Sequence, residues 1–171
     1  MSSALERLYG RLVSLVAIGR ITATTALQGR GLRRAQLRID EAEARDATPL
    51  LAQYGLATRP QPGAQAVVLF LTGDRSRGLV IATNDARYQI ELAEGEVALH
   101  DDLGQRIHLT RQGIVIDGGG RAVRIQGAPE IIADTAQLTV TGDVVAGGIS
   151  LTQHRHGGVQ AGGAQTGMPA P

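Results

Sequence analysis

The run Thr152-Gln153-His154-Arg155-His156-Gly157-Gly158 places two of the chain's four histidines two residues apart. Along an extended strand, residues i and i+2 project to the same side, roughly 7 Å apart. One chain would therefore offer a metal two imidazole nitrogens, and three identical chains meeting on an axis would offer six. No carboxylate or cysteine follows the doublet. A closing His-x-His after a Gly-rich, β-patterned stretch points to a trimer sealed at its tip by one metal ion. The same doublet, set before a run of Gly, Ala, Gln and Pro, also fits solvated residues of a disordered end. The rest of the chain weighs between these readings.

Other polar groups point to turns rather than to a reaction centre. Gly118-Gly119-Gly120 has no Gly-Lys-Ser/Thr and no helical pattern after it, so it reads as a turn and not as a phosphate cradle. His100-Asp101-Asp102 sets a base beside two carboxylates, but no nucleophile motif accompanies it, and Leu103-Gly104 marks a turn. His108, between Ile107 and Leu109, points away from their face and reads as an exposed strand residue. Asp143 reads as a turn carboxylate. No catalytic constellation emerges, and an enzyme is not expected.

Composition narrows the classes further. The chain has 171 residues, 43% of them apolar, yet aromatics are only 2% and glycines number 23. Burial must come from Val, Ile, Leu and Ala, which suits thin repetitive β-structure or a core completed by sister chains. The net charge of +1, with every basic residue an arginine, gives no long-range pull toward nucleic acid or anionic membrane. Without cysteine there are neither disulfides nor thiolate metal sites. No apolar run reaches transmembrane length, and residues 1–18 lack the basic region and cleavage site of a signal peptide. Synthesis in a cytoplasm without export by the general route is expected.

The elements that must carry the doublet follow from periodicity. Leu5, Leu8, Leu12 and Leu15 are spaced 3-4-3, a narrow helical stripe with Val16 and Ile18 behind it. Ser2 or Ser3 caps its start, Glu6 follows Ser3 by three residues, and Gly19 ends it. The stripe fits a seam or docking surface and equally a helix packed on its own domain. From Arg20 to Tyr88 the pattern is of strands: Ile21–Ala23, Ala35–Ile39, Leu50–Gly55, Ala66–Leu71 and Gly78–Thr83. Turns lie at Gln28–Gly31, Arg59–Gly63 and Gly73–Gly78, and Asp40–Pro49 is a polar, acidic connection. Five short strands in this length fit a small closed barrel such as the OB-fold. Such barrels often bind single-stranded nucleic acid, but that use relies on stacking aromatics, and only Tyr54, Phe70 and Tyr88 are available.

Beyond Gln89 the strands shorten. Val97-Leu99, Ile107-Leu109, Ile114-Ile116, Val123-Ile125, Ile131-Ala133, Leu138-Val140 and Val144-Ala146 alternate with glycine-marked turns. This loose repeat fits a β-helix or an intertwined trimeric prism. Two apolar residues per strand cannot bury themselves within one chain, whereas three chains would enclose a continuous aliphatic interior. The 45 residues from Arg106 to Ser150 would give about five rungs, on the order of 24 Å.

Several ordered segments carry a resemblance. They are Leu5–Tyr9, Leu69–Thr83, Gly95–Thr110 and the closing His154–Gln160. Together the chain resembles the central-spike, or baseplate assembly protein V, family of Mu-like contractile-tailed bacteriophages. The resemblance implies an all-β protein with a short N-terminal helix: helix 1–19, an OB-fold-like hub-attachment domain 20–88, a neck 89–105, an intertwined triple-stranded β-helix spike 106–150, and a metal-binding apex with a Gly/Pro tail 151–171. It implies a homotrimer in the virion tail baseplate, attached to the tail hub and directed at the host outer membrane, with no nucleic-acid partner. By resemblance, His154 and His156 are the ligands of one iron per trimer, and calcium and chloride ions lie inside the spike, with Asp143 the nearest acidic candidate. Six neutral imidazoles form an octahedral set suited to Fe(II), with Ni(II) or Zn(II) compatible on affinity grounds. His100 stands where family members usually carry an aromatic residue.

Two other classes are weaker on the same residues. A trimeric adhesin or receptor-binding protein would need exposed aromatics for sugar stacking, and almost none follow Tyr88. A polysaccharide-cleaving β-helix enzyme would need more rungs and a cluster of acidic or basic groups on one face. The tip of a contractile bacteriocin or secretion system shares every feature of the spike reading.

Overall fold

The computed structural model describes residues 4–25, 31–155, 157–158 and 162. The cap at Ser2 or Ser3, most of the turn at 28–31, and His156 lie outside the described residues. The chain divides into two compact units, Met1–Val123 and Arg124–Pro171.

Helix α1 runs over Ala4–Val13, shorter than the expected 1–19. The stripe is helical only as far as Leu12. Val16–Thr24 is strand β1 instead, because Val16 and Ile18 pair with Leu69 and Val67 of β4 (Gln65–Phe70). β-branched residues lose little in a strand, and the ladder outweighs continuation of the helix. No residue of α1 is buried, and Leu5 is 76% exposed. Its last turn meets the loop that follows β4. At Gly73, φ is +69°, and a Cβ added there would lie 2.8 Å from Arg11 Cα.

β1, β2 (Arg34–Arg38), β3 (Ala44–Pro49), β4 and β5 (Gly78–Asn84) form one antiparallel sheet in the order β3-β2-β1-β4-β5. The sheet curls until its edges meet. Leu50 bridges Val80 in parallel, and Leu51 N–H donates to Val80 O at 2.9 Å. This is the strand order of an OB-like barrel. Period-2 alternation sends Ile21, Leu37, Val68, Phe70 and Val80 inward, where they are fully buried. At one end of this aliphatic core, the Arg75 guanidinium lies 4.3 Å from the Phe70 ring centroid and that of Arg45 lies 5.3 Å away. Glu43 pairs with both arginines. Phe70, one of three aromatics weighed for base stacking, is therefore enclosed.

The third strand lies earlier than its expected place at Leu50–Gly55. Ala44–Pro49, expected as a polar connection, is β3. The Asp40 carboxylate accepts from the N–H groups of Ala42 and Glu43, making the turn that launches it. Within β3, Ala47 has φ +51° and the register with β2 slips between Ala35 and Leu37. That bulge breaks the alternation, so Thr48 is the only buried residue of the strand and no apolar pattern marks it.

β6 (Val97–His100), β7 (Arg106–Leu109) and β8 (Ile114–Asp117) form a second antiparallel sheet in the same unit. It crosses residue 105, where the neck was expected to end. Leu99 faces Ile107, which faces Ile116, and Val97 faces Leu109, which faces Ile114. These six side chains share one face, and all six are exposed in the single chain. On the opposite face, His108 Nε2 lies 3.1 Å from Glu96 Oε2. His108 is thus half-buried rather than exposed, although it does point away from Ile107 and Leu109.

In the second unit, β9 (Val145–Ala146) and β10 (Ile149–Ser150) pair as a hairpin. Residues 124–144 contain no strand. Ile125, Ile131, Ile132 and Leu138 are bare in one chain. The β-helix expected over 106–150 is not formed by one chain, which has strands there only at β7 to β10. Among the described residues no helix is long and apolar enough to cross a membrane.

Candidate metal-binding apex

The apex is built on the β9–β10 hairpin. Gly147 and Gly148 have φ of +58° and +83°. Both central residues of a two-residue hairpin must take this left-handed conformation to match the strand twist, which glycine does without strain. Ala146 then pairs with Ile149 and Val145 with Ser150, and Leu151 N–H extends the ladder to Val144 O at 2.8 Å.

After Ser150 the chain makes a single turn that delivers His154. Ser150 Oγ accepts from Gln153 N–H at 2.9 Å, and Asp143 Oδ1 accepts from Thr152 N–H at 3.1 Å. These two side chains satisfy the donors at the start of the turn, as caps do for a helix. At its end, His154 N–H donates to Ser150 O at 3.1 Å. His154 Nδ1 lies 2.9 Å from Ser150 O and 3.0 Å from Leu151 O. Carbonyl oxygens only accept, so Nδ1 carries the ring proton. The Asp143 carboxyl is held below the usual carboxylate range, first by the Ser150 side chain and then by Thr152 N–H.

Among the described residues, no three His, Asp or Glu gather in one chain to hold an ion. The fit of His154 to a metal can be judged from its donor set. A metal-binding histidine commonly gives one ring N–H to a carbonyl and presents the other nitrogen to the ion. His154 has the first part of that arrangement, with its Nδ1 edge held by the Ser150 and Leu151 carbonyls. Asp143, the calcium candidate, spends one oxygen on Thr152.

The remaining polar groups are structural. Asp101 Oδ1 accepts from Leu103 N–H and Gln105 N–H at 2.9 Å each, which makes the 101–105 stretch the expected turn. Asp102 pairs with Gln61 Nε2. Gly119 N–H donates to Asp117 Oδ1, and Arg121 N–H to Gly118 O, so Gly118–Gly120 is also a turn. Two groupings escape sequence reasoning. Glu96 collects Ala93 N–H, Arg111 N–H and His108 across 15 residues, and no local motif announces it. The Asp143 strap is the other: Ser150 three residues before Gln153 is a capping pattern, but the carboxylate reaches Thr152 only because the hairpin brings residues nine apart together.

Comparison with known proteins adds an independent finding. Residues 19–87 match the family model described as Bacteriophage Mu Gp45, N-terminal, and residues 148–170 match the GpV Apex motif. The first covers the barrel strands, and the second begins inside the hairpin turn and covers both histidines. The chain is 30% identical over 145 residues to the protein named baseplate puncturing device gp45 of Escherichia phage Mu, across 83% of this chain and 73% of the relative.

Proposed function

The chain belongs to the Mu-like central-spike family of phage tail baseplates, and on that premise we propose that three copies form a membrane-piercing spike closed by a metal ion. The observation that carries the trimer is the bare aliphatic face of β6–β8. Burying a side chain such as Ile114 or Ile116 is worth about 1.5–3 kcal/mol, and in one chain these residues and the apolar side chains of 124–144 are exposed. Identical copies offer identical strands, so one solution covers every copy at once.

In this reading the barrel attaches the spike to the baseplate hub, and α1, whose apolar stripe its own domain leaves uncovered, is part of that attachment. The segment from Arg106 to Ser150 is the shaft, an intertwined triple-stranded β-helix. The protein acts by shape and stiffness rather than by catalysis. A narrow point concentrates the force of tail contraction on a small area of outer membrane.

His154 and His156 of three chains would hold the ion, and iron(II) suits six imidazole nitrogens. When bound, the ion supplies cross-linking: it ties together three chain ends that would otherwise fray. The chain's own part is to fix the His154 imidazole. The hairpin ends at Ser150, the capped turn follows, and the Ser150 and Leu151 carbonyls orient the His154 ring. Gly157-Gly158 then lets each chain turn away past the ion.

The test is replacement of both histidines. His154→Ala with His156→Ala should abolish stoichiometric metal while the protein stays trimeric by sedimentation. A double variant that still carries its full metal would place the ion elsewhere.

A further inference from the structure

The strap around Ser150 holds the His154 imidazole in the chain without metal. We infer that Asp143 is a positioning residue for His154: it fixes the turn whose carbonyls take the Nδ1 proton, so that His154 meets a metal through Nε2. This inference rests on the proposed metal site, but its structural part concerns the metal-free chain.

Three observations combine. Asp143 precedes β9, while Thr152, which it binds at 3.1 Å, follows β10. The carboxylate therefore spans the base of the hairpin and ties the turn to the strand that enters it. Ser150 closes the same turn from within, through Gln153 N–H at 2.9 Å. The turn ends on His154, whose backbone N–H and Nδ1 both reach Ser150 O, at 3.1 and 2.9 Å. The ring is held by its single Nδ1–H between the Ser150 and Leu151 carbonyls, and it cannot turn about its side-chain bonds without losing both contacts. Removal of the carboxylate frees Thr152 N–H, loosens the turn and releases the ring. Asp143 never touches the ion; it acts through the turn.

The measurement uses the full chain labelled with 15N-histidine and stripped of metal. Long-range proton–nitrogen spectra report which ring nitrogen is protonated, with the His154 signal assigned from His154→Ala. The same samples are titrated anaerobically with iron(II) against a chelator. In the unsubstituted protein, His154 should be protonated at Nδ1. In Asp143→Ala the tautomers should mix, and iron(II) affinity should fall roughly 10–100-fold, the usual cost of losing an outer-shell partner. Asp143→Asn retains an acceptor oxygen and should recover most of both properties. An Asp143→Ala protein with the original tautomer and affinity would overturn the inference. If Asp143→Ala fails to assemble, Ser150→Ala removes the other cap and is judged by the same two outcomes. If the unsubstituted trimer takes up no iron(II), the metal reading falls, and the tautomer comparison alone decides the strap.

Discussion

Single side chains decide more here than the sparse core implies. Phe70 is the one aromatic fully enclosed by the barrel, with two guanidinium groups over its ring. Phe70→Ala should cost about 3–5 kcal/mol, measured by denaturant unfolding. Glu96 gives a pH signature. Its carboxyl is held below the ordinary glutamate range by Ala93 N–H first, then by Arg111 N–H and His108. A carboxylate stabilised in the folded state contributes fully above its unfolded value of about 4.3 and loses that contribution as pH falls through the folded value. Thermal unfolding from pH 7 to pH 3 should thus show a steeper loss for the natural protein than for Glu96→Gln. Equal slopes would mean that Glu96 gains nothing from its partners.

At the scale of elements, the aliphatic face of β6–β8 makes the clearest prediction. Ile107→Asp puts a charge among Leu99, Ile116 and the copies proposed to cover them. The variant should be monomeric by sedimentation while its barrel remains folded, because no barrel residue faces Ile107 across the sheet. A trimer that tolerates this charge would place that face on the outside. The same strands show what could be read from residues alone. β1, β4, β5 and β6–β8 follow from alternating apolar residues, since each has one buried or uniformly apolar side. β3 does not, because its bulge at Ala47 breaks the period and its one buried side chain is Thr48. The end of α1 does not follow from the residues for a related reason. Leu15, Val16 and Ile18 suit both a helix and a strand, and only pairing with β4 chooses between them. At the apex, the histidine doublet was legible from spacing, whereas the strap from Asp143 to Thr152 depends on a hairpin that brings residues nine apart together.

For the whole molecule, the first unit holds the barrel and the β6–β8 sheet, and the second, with β9 and β10 as its strands among the described residues, leaves its apolar side chains exposed in one chain. Removing residues 1–88 deletes the barrel but leaves β6–β8, the 124–144 segment and the apex. The remainder should be a compact trimer if sister chains complete the shaft, and a monomeric, disordered fragment would refute that. The measurement that reaches the central claim most directly is native mass spectrometry of untagged protein, purified without chelating columns and quantified for metal. The account predicts one species with the mass of three chains plus a single iron ion, and a trimer without the ion when His154 and His156 are both alanine. A folded monomer, or a trimer carrying no metal, would contradict it.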